Sequence, residues 1–216
     1  MKKIVLIGAS GFVGSAILKE SLDRGHKVTA VVRHPEMIST MHKNLIVKQG
    51  DVSHYETVSE LCKNSDAVIS AYNPGWKNPD IAEETTRVYR VILKGVRKSE
   101  VKRFLVVGGA GSLFLSPGIR LMDAGVMPEF ILPAVKALAD FYLVDLAAEK
   151  SIDWVFFSPA GNLQPGNRTG NFRLGKDDLI VDEAGESIIS VQDYAVAMID
   201  ELEKTAHHRE RFTIGY

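Results

Sequence analysis

Ile4-Val5-Leu6-Ile7-Gly8-Ala9-Ser10-Gly11-Phe12-Val13-Gly14-Ser15-Ala16-Ile17-Leu18-Lys19-Glu20 passes from an apolar strand, through three evenly spaced glycines, into helix-forming sequence. Glycines in a strand-to-helix turn let the backbone bend sharply and approach a pyrophosphate. The N–H groups and positive dipole of the helix start favour that anion. The spacing is G-x-x-G-x-x-G, a departure from the G-x-G-x-x-G fingerprint, and glycines also form tight turns with no ligand near them. Context decides between the two. A second apolar strand, Val28-Thr29-Ala30-Val31-Val32, arrives where a βαβ unit of roughly thirty residues places it. The stretch therefore predicts a dinucleotide-binding βαβ unit.

The alternation continues outward from that turn. Strands are predicted near 3–8, 27–32, 44–48, 66–71 and 102–108, with helices near 12–24, 55–63 and 79–99. Such alternation predicts an α/β fold, a doubly wound parallel sheet with helices on both faces. Ser53-x-x-Glu56 reads as a capping box for the second helix, and Asn78-Pro79-Asp80 as an N-cap with proline in the first turn of the third. Ser190-x-x-Asp193 repeats the capping logic before a late helix, which makes Asp193 a cap rather than a catalyst. Between 109 and 133 the pattern breaks into Gly-, Pro- and Met-containing sequence. It leaves the carboxyl edge of the fifth strand, where open α/β folds bind ligands, and reads as a binding loop or as a loop packed down by its own apolar residues. A helix near 133–150, a buried strand Trp154-Val155-Phe156-Phe157 and short strands near 171–174, 178–181 and 187–190 follow. One domain spanning 1–216 is expected, with 109–133 and 159–190 forming the substrate-side loops and a small C-terminal lobe.

The chain has 216 residues, 45% of them hydrophobic, enough for a substantial core, and a formal net charge of -1 with both signs interspersed. No basic face suited to nucleic acid, no membrane span and no signal peptide is evident, so a cytoplasmic protein acting on a small molecule is expected. Its lone cysteine, Cys62, falls in the apolar pattern of a helix and reads as a core thiol. His207-His208 reads as part of a solvated charged segment, and no metal site is expected. Oligomeric state is left open between monomer and homodimer.

Four segments carry a family likeness: Gly8 to Gly14, Val31-Val32-Arg33, Gly50-Asp51-Val52 and Ser158-Pro159-Ala160-Gly161. Together they resemble the atypical short-chain dehydrogenase/reductase superfamily. Val106-Val107-Gly108-Gly109-Ala110-Gly111-Ser112, Pro165-Gly166-Asn167-Arg168-Thr169-Gly170 and Gly185 to Ala195 narrow the likeness to the bacterial NADH-flavin reductase group, relatives of NmrA-like proteins and biliverdin reductase B. The resemblance covers nearly the whole chain and implies a Rossmann-like NAD(P)-binding fold. It implies that Gly8, Ala9, Ser10, Gly11, Phe12 and Val13 surround the pyrophosphate and adjoining ribose. Asp51 and Val52 match the positions that meet adenine, and Ala71, Tyr72, Asn73, Gly108, Gly109, Pro159 and Ala160 complete the cofactor-binding set. Arg33 stands where an NAD-preferring protein usually carries an acid; an arginine suits a 2'-phosphate, so NADP(H) is expected ahead of NAD(H). A solvated surface arginine is the alternative.

Short-chain reductases that act on alcohols and ketones use a Tyr-x-x-x-Lys pair to exchange a proton with substrate oxygen. Lys136-Ala137-Leu138-Ala139-Asp140 occupies that place, and Tyr142 is followed four residues later by Leu146, so the pair is expected to be absent. A flavin relaxes the requirement because its ring is itself the electron sink. Hydride transfer from NADPH to FMN, riboflavin or a similar flat aromatic acceptor such as a quinone is the expected reaction. Ser112 and Lys136 are the candidate catalytic residues, with Phe114, Leu115 and Met127 as apolar substrate contacts. The alternative is an NADP(H)-binding redox sensor with little turnover.

Overall fold

Strand β1 (Lys3–Ile7) points Ile4 and Leu6 to one face and Val5 and Ile7 to the other, and all four are buried. That period-two alternation, with both faces apolar, is what a central strand of a two-sided parallel sheet needs. The computed structural model describes residues 1–216. Helix α1 (Phe12–Asp23) leads to β2 (Lys27–Val32) and β3 (Leu45–Gln49), then α2 (Tyr55–Cys62), β4 (Ala67–Ser70), α3 (Ile81–Lys98) and β5 (Arg103–Val107). A short hairpin, β6 (Phe114–Ser116) with β7 (Ile119–Arg120), precedes α4 (Leu132–Asp140), which runs into one π-helical stretch, Phe141–Leu146. Strands β8 (Asp153–Ser158), β9 (Asn162–Gln164), β10 (Arg173–Gly175) and β11 (Ile188–Ser190), helix α5 (Val191–Lys204) and strand β12 (Glu210–Gly215) complete the chain.

The main sheet has the order β10-β12-β8-β5-β4-β1-β2-β3 and is parallel throughout, except that β10 pairs antiparallel with β12. Its order reverses between β1 and β4, the switch point beside which doubly wound sheets open a ligand crevice. One face holds Ile4, Leu6, Leu105, Val155 and Phe157 against α1 and α5; the other holds Val5, Ile7, Phe104, Val106 and Phe156 against α2, α3 and the π-helical stretch. Each such fully buried side chain contributes about 1.5–3 kcal/mol through the water it sheds. Helix α3 buries Ile81, Thr85, Val88, Tyr89, Ile92 and Val96, a stripe at helical spacing. Cys62 is fully buried in the second core, and burial pushes its thiol up to about 12, so it remains protonated near neutral pH.

Several local expectations are corrected. The second helix is not capped by Ser53: His54 holds that position without a side-chain cap, while the Ser53 N–H donates to Asp51 Oδ1 at 2.9 Å. Asn78 is not the N-cap of α3; Asp80 is, and the Asn78 side chain takes the Asp80 N–H and donates to Glu84 Oε2. The helix expected over 133–150 leaves α geometry after Asp140, and 178–181 forms no strand beyond one bridge from Asp178 to Phe114. The irregular 109–133 segment contains the β6–β7 hairpin, held by Phe114 N–H to the Asp177 carbonyl and Leu179 N–H to the Phe114 carbonyl. Ser190 does cap α5, accepting the Asp193 N–H at 3.0 Å. Asp193 itself holds the 169–170 turn: its carboxylate accepts both backbone N–H groups, the Thr169 hydroxyl and the Tyr216 hydroxyl. Of the two histidines read as solvated, His208 is exposed and His207 is not. His207 is half-buried, stacks on Phe212 at 4.3 Å and pairs with Glu201, which also meets Arg103; His208 reaches Asp153 at 3.0 Å.

Candidate functional site

The turn between β1 and α1 is shaped by what its glycines leave out. Gly8 has φ +81° and donates its N–H to the Val31 carbonyl; a Cβ there would lie 2.5 Å from the Ala71 carbonyl oxygen. At Gly14 a Cβ would lie 2.1 Å from the Gly8 oxygen, so only glycine lets α1 settle against the turn. The first helical backbone bond is Ser15 N–H to the Gly11 carbonyl, which leaves the N–H groups of Phe12, Val13 and Gly14 at the open end of α1. No acidic residue stands in that first turn. A cradle closed to a Cβ at Gly8 and Gly14, backed by unpaired N–H groups at the positive end of a helix, is chemically suited to a pyrophosphate.

A cavity of about 230 Å³ extends from this turn over the carboxyl ends of β2, β3 and β4. Gly8, Ser10, Gly11, Arg33, Asp51, Val52, Ala71, Tyr72, Asn73 and Glu84 are among its lining residues. Asp51 is exposed, and the Ser53 N–H holds its carboxyl below the usual range, with His54 and Arg33 adding positive field. Arg33 is exposed at the same rim, its carbonyl tied to the Gln49 side chain. Tyr72 is fixed twice: its hydroxyl donates to Glu84 Oε1 at 2.8 Å, and its carbonyl accepts the Tyr89 hydroxyl at 2.9 Å. Burial, then the Glu84 carboxylate, pushes the Tyr72 hydroxyl above its usual range, so it stays a donor.

A second cavity of about 550 Å³ continues from the first, sharing Gly11, Ala71, Tyr72 and Asn73. Val107 at the end of β5 lines it with Gly108 and Gly109 just after, Pro159, Ala160 and Gly161 after β8, and Ala134, Val135 and Leu138 from α4. Phe12, Trp76 and Met127 also contribute. None of its 24 lining residues is charged. The α4 residues it presents carry no hydroxyl, ammonium or carboxyl. The two ends of one cleft thus differ: polar and charged over β2–β4, apolar beyond β5.

Most residues singled out from the sequence meet in this cleft, including Gly8, Ser10, Gly11, Phe12, Val13, Arg33, Asp51, Val52, Ala71, Tyr72, Asn73, Gly108, Gly109, Pro159 and Ala160. Three do not. Ala9 is 1% exposed and packs into the core beneath the turn. Ser112 is buried, and both its carbonyl and its hydroxyl accept from Arg211 Nη1 at 2.8 Å. Lys136 is exposed and outside the lining of either cavity. Met127 lines the apolar end, whereas Phe114 and Leu115 do not. Sequence reasoning missed Trp76, Glu84, Tyr89, Val135 and Leu163; Glu84 resembles any acid in a helix first turn, and the rest resemble core or loop residues.

The sequence family described as NAD(P)H-binding matches residues 8–204. A Bacteroides thetaiotaomicron protein described as a candidate epimerase is 64% identical, covers 100% of this chain and 97% of its own, and superposes with a TM-score of 0.95. SP1627 of Streptococcus pneumoniae TIGR4, described as a candidate NADH-flavin reductase, is 35% identical with a TM-score of 0.86, over 100% of this chain and 99% of its own. The uncharacterized protein YwnB of Bacillus subtilis (strain 168) is 41% identical over 215 residues, 98% of this chain and 97% of that protein.

Proposed function

The chain belongs to the NAD(P)H-binding family, and we propose that it is an oxidoreductase that passes hydride from NADPH to a flavin or another flat acceptor such as a quinone. The observation that carries this reading is the two-ended cleft, charged where a dinucleotide's phosphates and adenine would lie and apolar where a ring would receive hydride. In this reading the N–H groups of Phe12, Val13 and Gly14 hold the pyrophosphate. Arg33 takes the 2'-phosphate, and Asp51 and Val52 meet adenine. Ala71 to Asn73, Gly108, Gly109, Pro159 and Ala160 border the nicotinamide half. SP1627, the relative described in reductase terms, lends the reading support.

Bound NADPH supplies two electrons with one hydrogen from its nicotinamide C4, and one solvent proton completes the reduction. The chain's part is positioning. Its apolar walls hold a flat ring in near-attack geometry and exclude water, effects that can supply several kcal/mol without an acid or base. Ala134, Val135 and Leu138 bring no proton donor to the acceptor, so simple ketones and secondary alcohols are poor substrates in this reading. Epimerisation, the activity in the description of the Bacteroides relative, is disfavoured on the same ground. Inverting a carbon needs a base, and the hydroxyls of Tyr72 and Tyr89 are both committed as donors. The test is NADPH oxidation followed at its absorbance band with riboflavin, FMN and menadione. Tight NADPH binding with no turnover above background on any acceptor would replace the reductase with a cofactor-sensing regulator.

A further inference from the structure

We propose that the apolar end of the cleft selects an uncharged ring system, taking riboflavin or a neutral quinone in preference to FMN, and that Trp76 is the residue that selects it. The inference rests on the reductase reading. The phosphate of FMN carries nearly two negative charges at neutral pH and is bound by Arg, Lys or unpaired N–H groups; enclosing it without them is costly. The apolar end offers no charged side chain.

The helix starts nearby do not replace one. The N-terminus of α1 is shared with the nucleotide end and is committed to the pyrophosphate in this reading. Helix α3 opens with Glu83 and Glu84 in its first turn, which repel an anion. Helix α4 has Pro133, with no N–H, in its first turn, and the N–H groups of Leu132 and Val135 are taken by the Glu129 and Ile131 carbonyls, which leaves the single N–H of Ala134, too little for a dianion. Lys77 and Lys136 are exposed and line neither cavity.

Trp76 is 59% exposed although its loop is held on both sides. Asn73 Oδ1 accepts the Gly75 N–H at 2.7 Å, and the Asn78 N–H reaches the Gly75 carbonyl at 3.0 Å. Phe12, 50% exposed, lines the same end. Two aromatic rings left in water beside an apolar cavity form a surface that a flat, uncharged ring would cover. The reaction balances as NADPH + H⁺ + riboflavin → NADP⁺ + dihydroriboflavin. The nicotinamide C4–H bond breaks with its electron pair, an N5–H bond forms, and N1 takes the solvent proton.

The experiment titrates NADP⁺-loaded protein with riboflavin and with FMN at low salt, following flavin fluorescence, beside NADPH oxidation with both flavins and menadione. Riboflavin is expected to bind at least tenfold more tightly than FMN and to turn over at lower concentration. Trp76→Ala should weaken riboflavin tenfold or more while leaving NADPH binding within twofold, and Trp76→Phe should restore most of the loss. FMN binding as tightly as riboflavin, FMN preferred through Lys77 or Lys136 as judged by alanine variants, or an indifferent Trp76→Ala would each overturn the inference and leave the reductase reading standing. NADPH binding without binding or reduction of either flavin or of menadione would remove both.

Discussion

Gly14→Ala tests whether the β1–α1 turn is a cradle set by backbone contact. The new Cβ would lie 2.1 Å from the Gly8 oxygen, 2.8 Å from the Gly8 carbonyl carbon and 3.1 Å from the Ala9 Cα, all of them backbone atoms that cannot swing aside. Relieving the overlap requires α1 to lift by about 1 Å, against a core packed to crystal-like density. That helix carries Ile17, Leu18 and Leu22 into the core, so the movement is felt beyond the turn. Overpacking of this kind costs about 1–3 kcal/mol, and the better helix propensity of alanine returns up to about 1 kcal/mol. A net loss of about 1–2 kcal/mol in a chain of this size lowers Tm by roughly 2–8 °C. The same displacement moves the N–H groups of Phe12 and Val13, and NADPH affinity should fall about ten- to a hundredfold, as for a misplacement near 1 Å. Gly11→Ala is the control for stability, because its Cβ would meet only the Gly8 oxygen at 3.4 Å, an ordinary contact. Thermal melts and NADPH fluorescence titrations measure both effects. A Gly14→Ala protein with wild-type Tm and wild-type NADPH affinity would refute the reasoning.

Arg33→Ala should weaken NADPH by about ten- to a hundredfold, the value of a charge-assisted hydrogen bond, and leave NADH nearly unchanged; equal losses for the two nucleotides in titration would withdraw the 2'-phosphate assignment. Burial would raise the Asp193 carboxyl, but donors from Thr169, Gly170 and Tyr216 outweigh it and hold the group below its usual range. Such a group adds stability that is fully present above its unfolded value of about 4 and is lost as pH falls through its lower folded value. Asp193→Asn should therefore flatten the acid limb of the stability profile, and urea unfolding across that limb with an unchanged slope would contradict this. Ser112→Ala should lower stability by about 1–2 kcal/mol through its bond to Arg211, with kcat held within about threefold. Lys136→Ala should change neither, and a large kcat loss in either variant would return that residue to the catalytic set.

The glycine turn and the polar end of the cleft were legible because their determinants are local. Glycine positions, the apolar run before them and Arg33 at the end of β2 lie within one βαβ unit, where period and turn chemistry speak directly. The apolar end of the cleft was not, because it is assembled from distant pieces. Trp76 follows β4, Tyr89 comes from α3, Leu138 from α4 and Leu163 from β9, and nothing in their neighbours marks them as one surface. Strand β12 escaped for a similar reason: Glu210 to Gly215 becomes a strand by fitting between β8 and β10. Ser112 looked functional from its place after β5, but its partner, Arg211, is 99 residues away.

Arg211 also bears on how the molecule breathes. Its guanidinium joins the Ser112 carbonyl and hydroxyl to Asp177 and lies 5.1 Å from the Tyr142 ring. The bonds that pin Phe114 to Asp177 and Leu179 run alongside it. Residues 110–121, residues 177–179 and the start of β12 are thereby tied at one buried cation. They are expected to open as one unit, which would bare the apolar end of the cleft while the glycine turn, carried by β1 and α1, stays folded. In hydrogen exchange, amides from these distant stretches would open together at a lower free energy than those of β1.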